Sequence, residues 1–422
     1  MKRTRLTASL ALTAACGLAL AAGCAAGHGK STSAHLSGAK EKMNAMKSAT
    51  EFDMARQAYL AGDLDRALSR VEYSIELNPQ VAKSHVLRGR ILLEMGAMEQ
   101  ALDALVLAET LDVNSVEAHY YQGIIYERLL DREKALAAYK RSAAMEPGNA
   151  QYAIAVAEVL VDLGRVAEAD EFLSGRGSAF EHNPGVKQTR GHLSMMLERP
   201  EDAVELFSEA SLLAPEDQAI IEDLVRAQIA TGRIAEAEYR LALLLEDEDN
   251  AERRDLKHLR ARCLVATDRP VEARSILTGL TDGAAGANDA EAWAALGQVS
   301  YRLKDLKGVR RAAARLQAVA PHRHEGYLLQ AMFERANGRH AAAIRATTAS
   351  LQRNPRDLSS ITLRGLSLYT LGKYEHAKKA FEYAQKLHPE SAMLTRAVAA
   401  VDLKIAAQSG ENAFASVPVP TE

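Results

Sequence analysis

The apolar and polar positions of residues 116–149 follow a helical period twice, with a break between the two runs. The pattern predicts two short amphipathic helices joined by a turn. Gly123 falls in the first helix, with Tyr126 three places on. Ala135 falls in the second, with Tyr139 four places on. Pro147 follows Ala135 by twelve residues and closes the unit. A proline suits that place because it donates no backbone hydrogen bond and disfavours helix in the residue before it.

The same marks recur in step. A proline follows an alanine by twelve residues at Pro79, Pro147, Pro215, Pro355 and Pro389, and Pro321 keeps the place with Val309 where the alanine should be. Pro79, Pro147 and Pro215 are 68 residues apart, and Pro321, Pro355 and Pro389 are 34 apart. Pro215 and Pro321 are separated by 106, three periods plus four, so about four residues are inserted between them. Two antiparallel helices approach closely only where side chains are small. Gly89, Gly123, Gly191, Gly297 and Gly365 supply that on the first helices. Ala67, Ala101, Ala135, Ala169, Ala203, Ala237, Ala273, Ala343 and Ala377 supply it on the second.

This code resembles the tetratricopeptide repeat, whose period is about 34 residues. Trp293, Leu296 and Gly297 match the family's opening in full. The resemblance implies an all-α fold, a right-handed α-solenoid superhelix of about ten helix-turn-helix repeats plus a C-terminal capping helix. The expected plan is a lipoprotein-type signal peptide (1–23), a flexible tether (24–45), repeats one to six (46–251), repeat seven with a hinge loop (252–289), repeats eight to ten (290–391), the capping helix (392–408) and a disordered tail (409–422). The fourth repeat should lose the end of its second helix at Gly175 and Gly177, because glycine is a poor helix former. Residues 279–289, rich in Gly, Ala, Asp and Asn, are the expected joint.

The first 23 residues change the setting. Lys2, Arg3 and Arg5 precede an apolar run from Leu6 to Ala22, the form of a secretory signal. Ala21, Ala22, Gly23 and Cys24 resemble the bacterial lipobox, which implies lipidation of Cys24 and a place in the cell envelope, on the periplasmic face of an outer membrane. A secreted or soluble periplasmic protein, with Cys24 removed, is the alternative.

Charge and chemistry mostly exclude. A formal net charge of −3 argues against a nucleic-acid partner, which usually selects a strong basic excess. Three cysteines are too few for a disulfide framework. Cys263, alone on a first helix, is expected to be a buried thiol. His322, His324 and Glu325 lack the one-face spacing of a zinc helix, and no nucleophile elbow occurs. No catalytic residue, metal, cofactor or small-molecule substrate is expected.

A groove remains. In the family the second, fifth, ninth and twelfth places of each first helix face the concave side. Those places put Arg56, Tyr59, Arg90 and Tyr120 in a basic-aromatic groove of the first three repeats, with Tyr301 and Tyr369 further on. Arginine and tyrosine anchor interfaces because each pairs a flat face with hydrogen bonds. The expected function is a non-catalytic scaffold that holds a protein or peptide segment, in pilus, secretion or other envelope assembly. The alternatives are a substrate-recognition subunit of an envelope protease or glycosyltransferase, and a self-assembling structural scaffold.

Overall fold

The computed structural model describes residues 30–415, with side chains described over 37–408. The expected signal peptide and Cys24 lie outside the described residues. Within them the chain forms 22 α-helices and one short 3-10 turn, with no strand. It divides into two compact units, Met1–Leu213 and Ala214–Glu422.

The first unit holds five helical hairpins: Lys30–Leu60 with Leu64–Leu77, Ala82–Glu94 with Met98–Leu111, Val116–Arg128 with Arg132–Met145, Ala150–Asp162 with Val166–Ser174, and Pro184–Met196 with Pro200–Leu213. The second holds five more: Gln218–Ala230 with Ile234–Leu244, Arg254–Ala266 with Pro270–Thr281, Ala290–Arg302 with Leu306–Val319, Glu325–Ala336 with His340–Arg353, and Leu358–Thr370 with Tyr374–Leu387. Ala392–Ala415 closes it.

Each hairpin turns through one left-handed residue, the usual device for ending a helix tightly. Six are glycines (Gly62, Gly96, Gly164, Gly232, Gly338 and Gly372), and four are Leu130, Glu198, Asp268 and Lys304. Their spacing is 34 residues throughout, except for two steps of 36, from Gly232 to Asp268 and from Asp268 to Lys304. The four extra residues therefore enter as two pairs, one before hairpin seven and one before hairpin eight.

The small-residue code is a packing code. Ala67, Ala101, Ala135, Ala169, Ala203, Ala237, Ala273, Ala343 and Ala377 are all fully buried, and so is Val309 in the exceptional place. Opposite them the first-helix glycines admit large side chains: Leu105 against Gly89, Tyr139 against Gly123, Phe207 against Gly191, Leu329 against Gly297 and Phe381 against Gly365. Helix starts are set by carboxylates and amides. Asn183 accepts from the Val186 amide at 2.9 Å, and Asp357 from the Ser360 amide at 2.8 Å.

Three expectations need correction and one holds. The tether expected over 24–45 is helical from Lys30 onward. Residues 39–47 are mostly strong helix formers, and Ser48 anchors the same helix through a hydroxyl bond to the Ser74 carbonyl at 2.9 Å. The last helix runs past 408 to Ala415, so residues 409–415 of the expected tail are helical; residues 416–422 lie outside the described residues. Leu394 and Val401 of that helix are fully buried, as a capping role requires. The fourth repeat's second helix does stop early, at Ser174, and a 3-10 turn at Gly177–Ala179 brings Phe180 into the core.

The third correction is the hinge loop over 279–289. It is a wound turn containing the short helix Gly283–Ala287. The Trp293 indole donates to the Gly286 carbonyl at 3.0 Å, and Arg315 Nε donates to the Ala287 carbonyl at 2.7 Å. A β-carbon on Gly286 would lie 2.4 Å from the Leu280 carbonyl oxygen, so only glycine fits. Gly286 is there for close approach, and Gly283 for its left-handed backbone at φ 70°.

Candidate functional site

In the first unit the first helices bring four tyrosines and one arginine into a row, and a second helix adds a fifth tyrosine. Tyr59 comes from hairpin one, Arg90 from hairpin two, Tyr120 and Tyr121 from hairpin three, and Tyr152 from hairpin four, with Tyr139 beside them from the second helix of hairpin three. The Arg90 guanidinium lies between two rings, 5.0 Å from the Tyr59 centroid and 4.8 Å from that of Tyr121. Each such stack is worth about 0.5–2 kcal/mol, depending on exposure. Tyr120 continues the row, 5.4 Å from Tyr121, 5.6 Å from Tyr139 and 4.9 Å from Tyr152.

Hydrogen bonds hold the rings. Tyr59 donates to Glu94, and Tyr139 donates to Glu127 at 2.8 Å. Gln151 Nε2 donates to the Tyr120 hydroxyl at 2.7 Å. Burial raises the pKa of every one of these phenols. Tyr121 is pushed up to about 12, and Tyr59, Tyr120, Tyr139 and Tyr152 are also raised, Tyr59 and Tyr139 further by their carboxylate partners. The hydroxyls thus stay neutral and able to donate. Crowding by protein atoms, with the charges of Glu127 and Asp162, raises the Glu158 carboxyl above its usual range. The site is therefore one cation between aromatic faces, edged by carboxylates.

Of the expected residues, Tyr59, Arg90 and Tyr120 come together. Arg56, one helical turn before Tyr59, is exposed and forms no hydrogen bond or ion pair among the described residues. Tyr301 and Tyr369 belong to the second unit. Tyr301 lines a cavity of about 390 Å³ with Gln298, Glu325 and Met332, and Tyr369 packs on Tyr374 at 5.3 Å. Sequence reasoning missed Tyr121, which stands at the sixth place of its helix, outside the inward set. The signal was the adjacent pair Tyr120 and Tyr121, which covers two neighbouring directions of one helix.

Chemistry elsewhere is structural. Cys263 is buried, and burial pushes its thiol pKa up, away from reactivity. His324 sits 3.3 Å from Glu325 and 3.6 Å from Asp357. Among the described residues no cluster of His, Cys, Asp and Glu is arranged to hold a metal ion. No described helix is long and apolar enough to cross a membrane.

Tetratricopeptide repeat profiles match residues 52–112, 120–179 and 362–414, and a second profile of the same description matches 195–263. Together these cover more than half the chain. No curated protein matches it in sequence. Solved structures similar in fold include the tetratricopeptide domain of P58(IPK), 14% identical over 86% of this chain and 99% of that one, with a TM-score of 0.32. The Cut9–Hcn1 hetero-tetramer of APC/C is similar over 84% of this chain and 83% of that one, at 12% identity and a TM-score of 0.39. The pilF protein of Pseudomonas aeruginosa is 18% identical over 47% of this chain and 90% of its own, with a TM-score of 0.40. The in-step code, the hairpins it packs and the matching profiles have one meaning: the chain belongs to the tetratricopeptide repeat family, a fold that typically serves as a protein-interaction scaffold without catalysis.

Proposed function

We propose that this chain is a non-catalytic adaptor that grips a segment of a partner protein along the row from Tyr59 through Arg90 and Tyr121 to Tyr120. A lipid on Cys24 would tether it to the cell envelope, where it serves pilus, secretion or other envelope assembly. One observation carries the binding reading. Arg90 is held between two rings, takes part in no ion pair among the described residues, and keeps a buried Nε–H with no acceptor. A buried donor left unpaired costs about 1–3 kcal/mol. A carbonyl or carboxylate of a bound segment would recover that, while the rings supply preorganised contact area at little entropic cost. The envelope setting is supported by the basic start, the apolar run and the residues before Cys24.

The test is site-specific photocrosslinking in native envelopes. A photoreactive side chain replacing Glu94 should capture a discrete partner, and one replacing the exposed Lys386 in the second unit should not. Capture should disappear with Arg90→Glu or Tyr121→Ala while the far-UV circular dichroism stays unchanged. Undiminished capture by both variants discards the row as the site. Separately, Cys24→Ser should release the chain from membranes, and retention there discards the anchor.

A further inference from the structure

The second helix of hairpin eight, Leu306–Val319, carries Lys307, Arg310, Arg311 and Arg315 and no carboxylate. This is an unusual concentration in a chain of net charge −3. The four cations line an open depression of about 1020 Å³ between that helix and the wound turn before hairpin eight, with Asp282 as the one carboxylate on its wall. Lys307, Arg310 and Arg311 enter no ion pair among the described residues.

The wall is braced. Arg315 is pinned through Nε to the Ala287 carbonyl at 2.7 Å and lines the depression. Arg311 lies 5.5 Å from the centre of the Trp293 ring, which is itself buried and tied to Gly286. Lys307, Arg311 and Arg315 stand four residues apart on one stripe. At about 1.5 Å per residue they form a rail with steps of about 6 Å. Alternate side chains of an extended chain are about 6.7 Å apart on one face. A single phosphate calls for cations converging on one point; a rail fits several anions in a line. Ala314 and Ala318 complete a smooth surface on which a backbone can lie.

We propose that this depression binds an extended acidic segment of a partner protein, with carboxylates at alternate positions meeting Lys307, Arg311 and Arg315. The site lies within the second unit, uses the second-helix side of the hairpin, and shares no residue with the Arg90 row.

The probe is a fluorescein-labelled peptide alternating glutamate and serine, titrated into the full chain at low salt. Anisotropy reads binding, and the emission of Trp293, the chain's single tryptophan, reads the site. The peptide should bind, weaken steeply with salt, and perturb Trp293. Arg311→Glu should weaken it tenfold or more, and Arg315→Gln severalfold, with unchanged circular dichroism. Arg90→Ala should leave it unaffected, so this proposal and the adaptor reading fail separately. A peptide alternating lysine and serine should not bind, and one with its three glutamates contiguous should bind more weakly. The proposal is overturned if the acidic peptide fails to bind, if Arg311→Glu does not weaken it, if the contiguous peptide binds as well, or if inorganic pyrophosphate binds more tightly than the peptide.

Discussion

Gly123 lies flat against the ring of Tyr139, so close that a β-carbon at 123 would sit 2.4 Å from Cε1. In an isolated helix, alanine in place of glycine gains about 1 kcal/mol. Here the contact reverses the sign. The ring of Tyr139 is enclosed by its hairpin and its hydroxyl is bonded to Glu127, so it has nowhere to retreat. Gly123→Ala should therefore destabilise the first unit by about 1–3 kcal/mol, the usual cost of overpacking. Gly148→Ala, where a β-carbon meets nothing within 4 Å, serves as the control. Thermal melts followed by circular dichroism decide it: a variant at 123 that melts with or above the parent refutes the packing code.

Leu130 holds the left-handed turn of hairpin three at φ 60° and is largely exposed. A side chain there is strained by about 1–2 kcal/mol, and glycine removes the strain at an entropic cost of similar but smaller size. Leu130→Gly should raise stability by about 0.5–1 kcal/mol, and Gly96→Leu should lower it by a similar amount. Both shifts appear in urea midpoints at constant slope. A loss with Leu130→Gly would mean that the leucine makes a contact worth more than its strain.

Asp289 caps the first helix of hairpin eight through the Ala292 amide and also receives His258 at 2.8 Å and Arg254. Burial works to raise its carboxyl, but the amide, His258 and Arg254 together outweigh burial and hold it below the usual range. A carboxyl depressed on folding contributes stability that is complete above its unfolded value, about 3.9, and lost as pH falls through the lower folded value. Asp289→Asn keeps the cap but removes the charge. It should cost about 1–2 kcal/mol at pH 7, and the difference from the parent should close below about pH 4. A difference that does not shrink at all between about pH 5 and about pH 2 would assign the effect to shape rather than charge.

The tyrosine row should make the first unit sensitive to alkali. Its phenols are raised on folding, Tyr121 to about 12, so their stabilising contribution is complete below the unfolded value of about 10 and is lost as pH rises through the folded values. Melting temperature should fall between pH 10 and 12. Tyr121→Phe, which cannot ionise, should fall less over that range. An equal fall in parent and variant would remove Tyr121 from the account.

The repeat was legible because its cause is local and periodic. A small residue opposite a large one, a turn and a closing proline must recur wherever a hairpin packs on its neighbour, so period and register appear in the letters. Ala67 through Ala377 could be named as interface residues from spacing alone, and every one is buried. The start of the first packed helix was less legible, because Ser and Gly near Lys30 mask the strong helix formers that follow.

By itself the sequence determined the family, the ten hairpins, the end of the fourth and the number of extra residues, since each follows from near-neighbour packing along the chain. Only the tertiary structure decided that the extra residues enter as two pairs and that Trp293 and Arg315 wind residues 279–289 into a turn. It also decided that Arg90 lies between Tyr59 and Tyr121. Those outcomes depend on which side chains meet across hairpins, and that is set by helix rotation and rotamer, which a periodic code leaves free.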